Sequence, residues 1–182
     1  MKEQYKYLLA DDMPKMIKEG IKLLDTKEAP GSVNNPVIIG WAKELGGNID
    51  DIYNADEIPW CGLAQAIVAK RADKEVVKDP LWALNWSTFG DYVKVPMIGD
   101  TLVFVRKTST GKTAGHVGMY VGEDNTAYHV LGGNQSDSYN ITRVLKNRLY
   151  TARRPKYKIG QPASVKQMIL KNDGTPVSKN EQ

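Results

Sequence analysis

The chain has 182 residues, 41% of them hydrophobic and 25% charged, with one cysteine, two histidines and a formal net charge of +4. That length supports one ordinary core plus a tail, and a lone cysteine forms no internal disulfide, so the fold must rest on packing and the thiol is left available to react. The charge excess is small and scattered, without a basic stripe interleaved with aromatics, and so does not argue for a nucleic-acid partner. The opening MKEQYKYLLADDMPKMIKEG is charged throughout and lacks the apolar centre of a signal peptide. No run approaches the ~18 apolar residues of a membrane span, so no membrane insertion is expected and the expected compartment of synthesis is a cytoplasm.

Apolar positions at Met16, Ile17, Ile21 and Leu24 recur at helical spacing and predict an amphipathic helix, closed by the turn-rich EAPGSVNNP. Asn35 before Pro36 reads as an N-cap followed by a first-turn proline, so VIIGWAKELGG is expected to run as a second short helix to its glycine stop. The polar NIDDIYNADEIP reads as irregular, and Pro59 halts it. CGLAQAIVAKRA then predicts an alanine-rich helix opening at Cys61, with Leu63, Ala66 and Ile67 inward. The pattern changes afterwards: DTLVFVRK, HVGMYVGE, TAYHVLGG and YNITRV are short alternating or β-branched runs divided by Gly, Asp, Asn and Ser, which predicts an antiparallel sheet. Helices first and strands second predict an α+β fold rather than a doubly wound sheet. Beyond TARRP the pattern decays, so residues 1–158 are expected to form the domain and 159–182 a C-terminal tail, in which VKQMIL could pack as a strand or a helical turn.

A helix that opens at Cys61 brings its unpaired N–H groups and positive dipole end to the sulfur, which favours thiolate and suits a nucleophile. The competing reading is an inert core cysteine, the commoner fate of the residue type. A thiol nucleophile needs a base, and the only histidines are His116 and His129, both in the strand-rich half. Alternation in GHVGMYVG puts His116, Gly118 and Tyr120 on one face and Val117, Met119 and Val121 on the other. The apolar set is expected to take the core and to leave His116 on a face opened by Gly118, against which the Cys61 helix could stack. The plainer alternative is a surface histidine at a strand start.

The ordered set PWCGLAQAIVAK, GDTLVFVRK, AGHVGMYVGED, YHVLGGNQSDSYNITRV and RLYTARRP resembles the papain-like peptidoglycan hydrolases, the CHAP amidohydrolase/peptidase group and its NlpC-type relatives. From EAPGSVNNPVIIGWAKELG to TARRP it is more closely similar to a phage and prophage lysin subfamily marked by Pro-Trp-Cys, Gly-His-Val-Gly and Val-Leu-Gly-Gly-Asn-Gln. The resemblance implies a papain-like core, with the nucleophile helix packed on the antiparallel sheet. It also implies a bacteriolytic, endolysin-like amidase or endopeptidase that cleaves an amide of the wall peptide, with Cys61 as nucleophile, His116 as base and no metal or other cofactor. Bacterial peptidoglycan would be the substrate and the protein a monomer, made in a host cytoplasm and acting on the wall after release, or carried in the virion.

The third catalytic member stays open. In CHAP-like enzymes an acid and an asparagine follow on the return strand; here VLGGNQ puts Asn134 at the asparagine and glycine at the acid. In NlpC-type relatives the third residue is often a histidine about a dozen positions on, and His129 stands there. Asn134 is preferred because GGNQSD matches the lysin motif more closely. Asp56 and Glu57 could shape the site mouth or bind an amine, or belong to a solvated loop. Trp60 and Trp86 could line a groove or pack in the core, and Gln135 could lie near the site or serve only its turn. Two other function classes carry the same residues: a catalytically silent wall-binding or virion structural module, and a cysteine acyltransferase or deamidase toxin acting on protein.

Overall fold

The computed structural model describes residues 1–31, 33–107, 111, 113–172 and 176–178. Its helices come first: α1 (Lys15–Ile21), α2 (Pro36–Leu45), α3 (Asn48–Ile52) and α4 (Cys61–Arg71), with 3₁₀ turns at Glu3–Leu9 and Ala83–Thr88. Asn35 caps α2 as its sequence position predicts, accepting the Val37 N–H at 2.8 Å. The helix stops at Gly46, whose φ of 75° a side chain would resist. The segment read as irregular contains the one-turn α3, too short and acidic to show a periodicity.

α4 is buried from Cys61 to Ala69, on every side rather than along the Leu63, Ala66, Ile67 face alone. Its alanines explain why. Small side chains all round let α1, α2 and the central strand approach one helix together. On α1, Gly20 sits where a Cβ would fall 2.5 Å from the Met119 side chain, so a glycine brings that helix onto the sheet.

Six antiparallel strands follow: β1 (Asp91–Tyr92), β2 (Thr101–Lys107), β3 (Thr113–Glu123), β4 (Ala127–Gly132), β5 (Asn140–Leu145) and β6 (Leu149–Arg154). Their spatial order is β1-β6-β2-β3-β4-β5, and the fold is α+β, as the element order predicts. Thr101 pairs with Met119 and Phe104 with His116, while Met119 pairs with Leu131 across the next ladder. Gln65 on α4 donates to the Thr101 hydroxyl at 2.9 Å, so the Thr101–Met119–Leu131 face is the one α1 and α4 cover.

The opposite face is buried too. Phe104, His116, Tyr120 and Val130 are all within 1% of full burial. The expectation that the Cys61 helix stacks on the His116 face, opened for it by Gly118, is therefore corrected: α4 covers the other face, and the space at Gly118 is taken by β4, since a Cβ there would fall 2.6 Å from Val130 Cγ1 and 3.0 Å from the Leu131 carbonyl oxygen. Residues 164–170, part of the expected tail, run along the end of β3. Ile98 N–H bonds the Lys166 carbonyl at 3.0 Å, Glu123 N–H the Met168 carbonyl at 2.9 Å, and Leu170 N–H the Glu123 carbonyl at 2.8 Å. VKQMIL thus adopts extended chain with a parallel bridge between Ile169 and Glu123. Residues 173–175 and 179–182 of that tail lie outside the described residues. Among the described residues no helix is long and apolar enough to cross a membrane.

Candidate active site

Cys61 is the first residue of α4 and is 5% exposed. Trp60 before it has no side-chain capping bond, and the first helical bond runs from Ala64 N–H to the Trp60 carbonyl at 2.8 Å. The N–H groups ahead of that bond are outside the helical ladder, so the α4 start is electropositive. Gly62 is clamped against the backbone carbonyls of Pro80 and Leu81, the latter 2.5 Å from where a Cβ would be. Tyr53 lies close enough to Cys61 for the two to interact electrostatically; burial first, then Asp56 and Glu28, hold its phenol well above the ordinary range.

His116 stands near the start of β3, stacked on Phe104 with ring centroids 6.3 Å apart and 26° between planes. Its Nε2 lies 3.0 Å from Oε1 of Gln135. The Gln135 amide nitrogen meanwhile donates to the carbonyls of Val130 at 3.2 Å, Gly132 at 3.2 Å and Asn140 at 2.8 Å. A nitrogen surrounded by three carbonyls must be the NH₂, so the oxygen faces the ring and can only accept. Neutral His116 then carries its proton on Nε2, which makes Nδ1 the basic nitrogen.

Two sets of contacts bring the α4 start and the His116 end of β3 to one junction. On one side the 80–84 segment touches both, Leu81 against Gly62 and Leu84 2.9 Å from the Cβ position of Gly115. On the other, Gly133 lies 2.6 Å (from its Cβ position) from the Trp60 ring and 2.7 Å from the Ala64 methyl, two residues before the Gln135 that bonds His116.

The two candidates for the third position fall elsewhere. His129 pairs with Gly122 beyond a register shift, roughly 20 Å along the strand from His116 at ~3.3 Å per residue. Its Nε2 lies 3.0 Å from Asp124 Oδ2 and its Nδ1 2.6 Å from the Tyr5 hydroxyl, with Arg143 donating to the same carboxylate oxygen at 2.7 Å. Burial raises the Asp124 pKa, but hydrogen bonds from Arg143, Thr126 and His129 outweigh it and hold the carboxyl well below the ordinary range. Asn134 is 2% exposed with φ of 57°, and its Oδ1 has no hydrogen-bond partner among the described residues. It neighbours the His116 partner without being it. β4 ends at Gly132, so Asn134 lies in the turn beyond the strand.

Asp56 turns inward rather than to a site mouth: it is 3% exposed and its Oδ2 accepts the N–H groups of Ala29 at 2.9 Å and Asn35 at 2.7 Å. Glu57 is exposed. Trp60 and Trp86 are wholly buried and donate to Glu28 and to the Pro80 carbonyl, so both pack rather than line a groove. Glu28 has its pKa raised, first by burial, against the Trp60 bond, and further by Asp137, Asp56 and Glu57. The aromatic the sequence did not single out is Trp82, 74% exposed in the 80–84 segment beside Gly62. Among the described residues no group of three or more His, Cys, Asp and Glu side chains is arranged to hold a metal ion. No protein-family model matches the chain, and neither a curated protein nor a solved structure does.

Proposed function

We propose that the protein is a cysteine amidohydrolase that cleaves an amide bond of the bacterial wall peptide, with Cys61 as nucleophile, His116 as general base and acid, and Gln135 as the residue that orients His116. The observation that carries the reading is the Gln135 amide, locked by three carbonyls so that its oxygen receives Nε2–H and leaves Nδ1 as the base. The substrate class comes from the motif resemblance, which covers Cys61, His116 and the VLGGNQ turn.

In the first half-reaction Nδ1 takes the thiol proton as sulfur attacks the carbonyl carbon. N–H groups at the α4 start are the donors aimed at the developing oxyanion. The tetrahedral intermediate collapses when His116 returns the proton to the amide nitrogen, releasing an amine and leaving a thioester on Cys61. Water then gives a proton to Nδ1 and adds to the thioester carbonyl. Collapse restores the thiol and frees a carboxylic acid. Gln135 Oε1 holds the ring in place and stabilises the imidazolium formed in each half.

Cys61→Ala and His116→Ala are expected to lose wall hydrolysis by at least three orders of magnitude while keeping the wild-type circular dichroism spectrum. Iodoacetamide is expected to inactivate by a single modification at Cys61. Undiminished turnover in either variant would falsify the assignment.

A further inference from the structure

Two adjoining cavities, of about 480 and 240 Å³, open beyond the C-terminal end of α4 and share Asp73, Lys74, Tyr157 and Lys158. Neither includes a residue of the candidate active site. α4 is 11 residues long, which puts them about 15 Å from Cys61 along its axis.

Their charge is one-sided. Lys74, Lys78, Lys156 and Lys158 line the larger cavity, and Lys15 joins Lys74 and Lys158 on the smaller. Against these five lysines stand two acids, Asp73 and Glu75, and Asp73 is already paired with Lys15 at 3.4 Å. Lys78, Lys156 and Lys158 have no carboxylate partner among the described residues. Lys74 is half-buried, its ammonium 5.1 Å from the centre of the Tyr157 ring and 2.5 Å from the Lys156 carbonyl. Burial, then Lys158 and Lys15, lower its pKa. The Tyr157 hydroxyl is enclosed without a hydrogen-bond partner among the described residues. Like charges gathered around a concavity raise each other's cost, and a bound anion removes that cost.

The walls decide which anion. Val76, Val77 and Phe89 line the larger cavity and Met13, Met16 and Pro155 the smaller. A phosphodiester polyol has nothing to offer apolar walls and would be repelled by Glu75. A peptide with carboxylates, short aliphatic side chains and an amine answers all three features.

We propose that these cavities bind a carboxylate-bearing peptide segment, as a subsite remote from the cleaved bond. That this segment is a neighbouring stem of the same wall polymer rests on the function proposed above; the peptide chemistry of the site does not.

The test is fluorescence anisotropy of a labelled acidic tetrapeptide carrying two carboxylates and alanine side chains, titrated at low salt with the full-length Cys61→Ala protein. Binding is read without turnover, so it is informative whether or not Cys61 is a nucleophile. Saturable binding is expected, at least tenfold weaker in Lys78→Glu/Lys158→Glu, with tripolyphosphate a poorer competitor than unlabelled tetrapeptide. Lys158→Gln, a milder change on an exposed side chain, should weaken binding about threefold and covers the case in which the double variant does not fold. No saturable binding, equal binding by the folded variants, or displacement by tripolyphosphate at a lower concentration than by the tetrapeptide would overturn the proposal.

Discussion

Gln135 gives its amide protons to the carbonyls of Val130, Gly132 and Asn140 and its oxygen to His116, so two substitutions separate its duties. Gln135→Ala removes the orienting acceptor and should lower kcat about 10–100-fold with little change in KM, because a misaligned imidazole fails chiefly in the transition state. Gln135→Glu keeps an acceptor but turns carboxylate oxygen toward three carbonyls, and is expected to melt at a lower temperature than Gln135→Ala. Asn134→Ala should cost less activity than Gln135→Ala in the same assay. His129 has a different expected signature. It is wholly buried between Asp124 and Tyr5, so His129→Ala should destabilise by about 3 kcal/mol through a cavity and two stranded polar groups, read by urea unfolding. Asp124 has a pKa depressed below its unfolded value, so its contribution to stability is present above about pH 4 and is lost as pH falls toward the folded pKa. The stability gap between wild type and Asp124→Asn should therefore narrow steadily below about pH 4. The places of Cys61 at the first turn of α4 and of His116 near the start of β3 were legible from the sequence, because residue type and local pattern mark both elements. Choosing among Asn134, Gln135 and His129 was not, since it depends on where β4 ends and on a register shift opposite Val121, neither of which leaves a trace in composition.

At the scale of elements, glycines set how closely α4 meets the sheet. A methyl at Gly133 would fall 2.6 Å from the Trp60 ring and 2.7 Å from Ala64, neither of which can retreat from a filled core. Gly133→Ala is expected to push the turn that carries Gln135 away from the α4 start, costing about 1–3 kcal/mol in stability and more than tenfold in kcat. Equal loss of stability with full kcat would show that the turn and the helix are not coupled. The helix α2 could be read ahead because Asn35, Pro36 and Gly46 punctuate it, and β2, β3, β4 and β5 because their short runs alternate or are β-branched. β6 could not. Its polar LYTARR takes its place between β1 and β2 only through pairing with them, and through Arg154 donating to the buried Asp100 at 2.8 and 2.9 Å. The 80–84 segment carries no periodicity either, yet it touches both Gly62 and Gly115.

At the scale of the whole molecule, residues 164–170 are built into the fold rather than hung from it. Ser164 donates to the Asp12 carbonyl at 2.6 Å, Val165 is 4% exposed, and Leu170 lies 2.5 Å from the Cβ position of Gly122. Truncation after Ile159 should lower the melting temperature by several degrees and expose Tyr120, whose hydroxyl now bonds Glu123 at 3.0 Å. The sequence hides this because KQMIL is short and bordered by polar residues; only the partner it covers gives it meaning. The basic cavities are hidden likewise, assembled from Lys15, Lys74 and Lys158, which lie far apart in the chain. The most direct test of the central claim is mass spectrometry of purified bacterial wall digested by the wild-type protein and by Cys61→Ala. The wild type is expected to release fragments with one new amine and one new carboxyl at a single type of peptide amide, and Cys61→Ala none. No new ends from the wild type, or the same ends from Cys61→Ala, would contradict it.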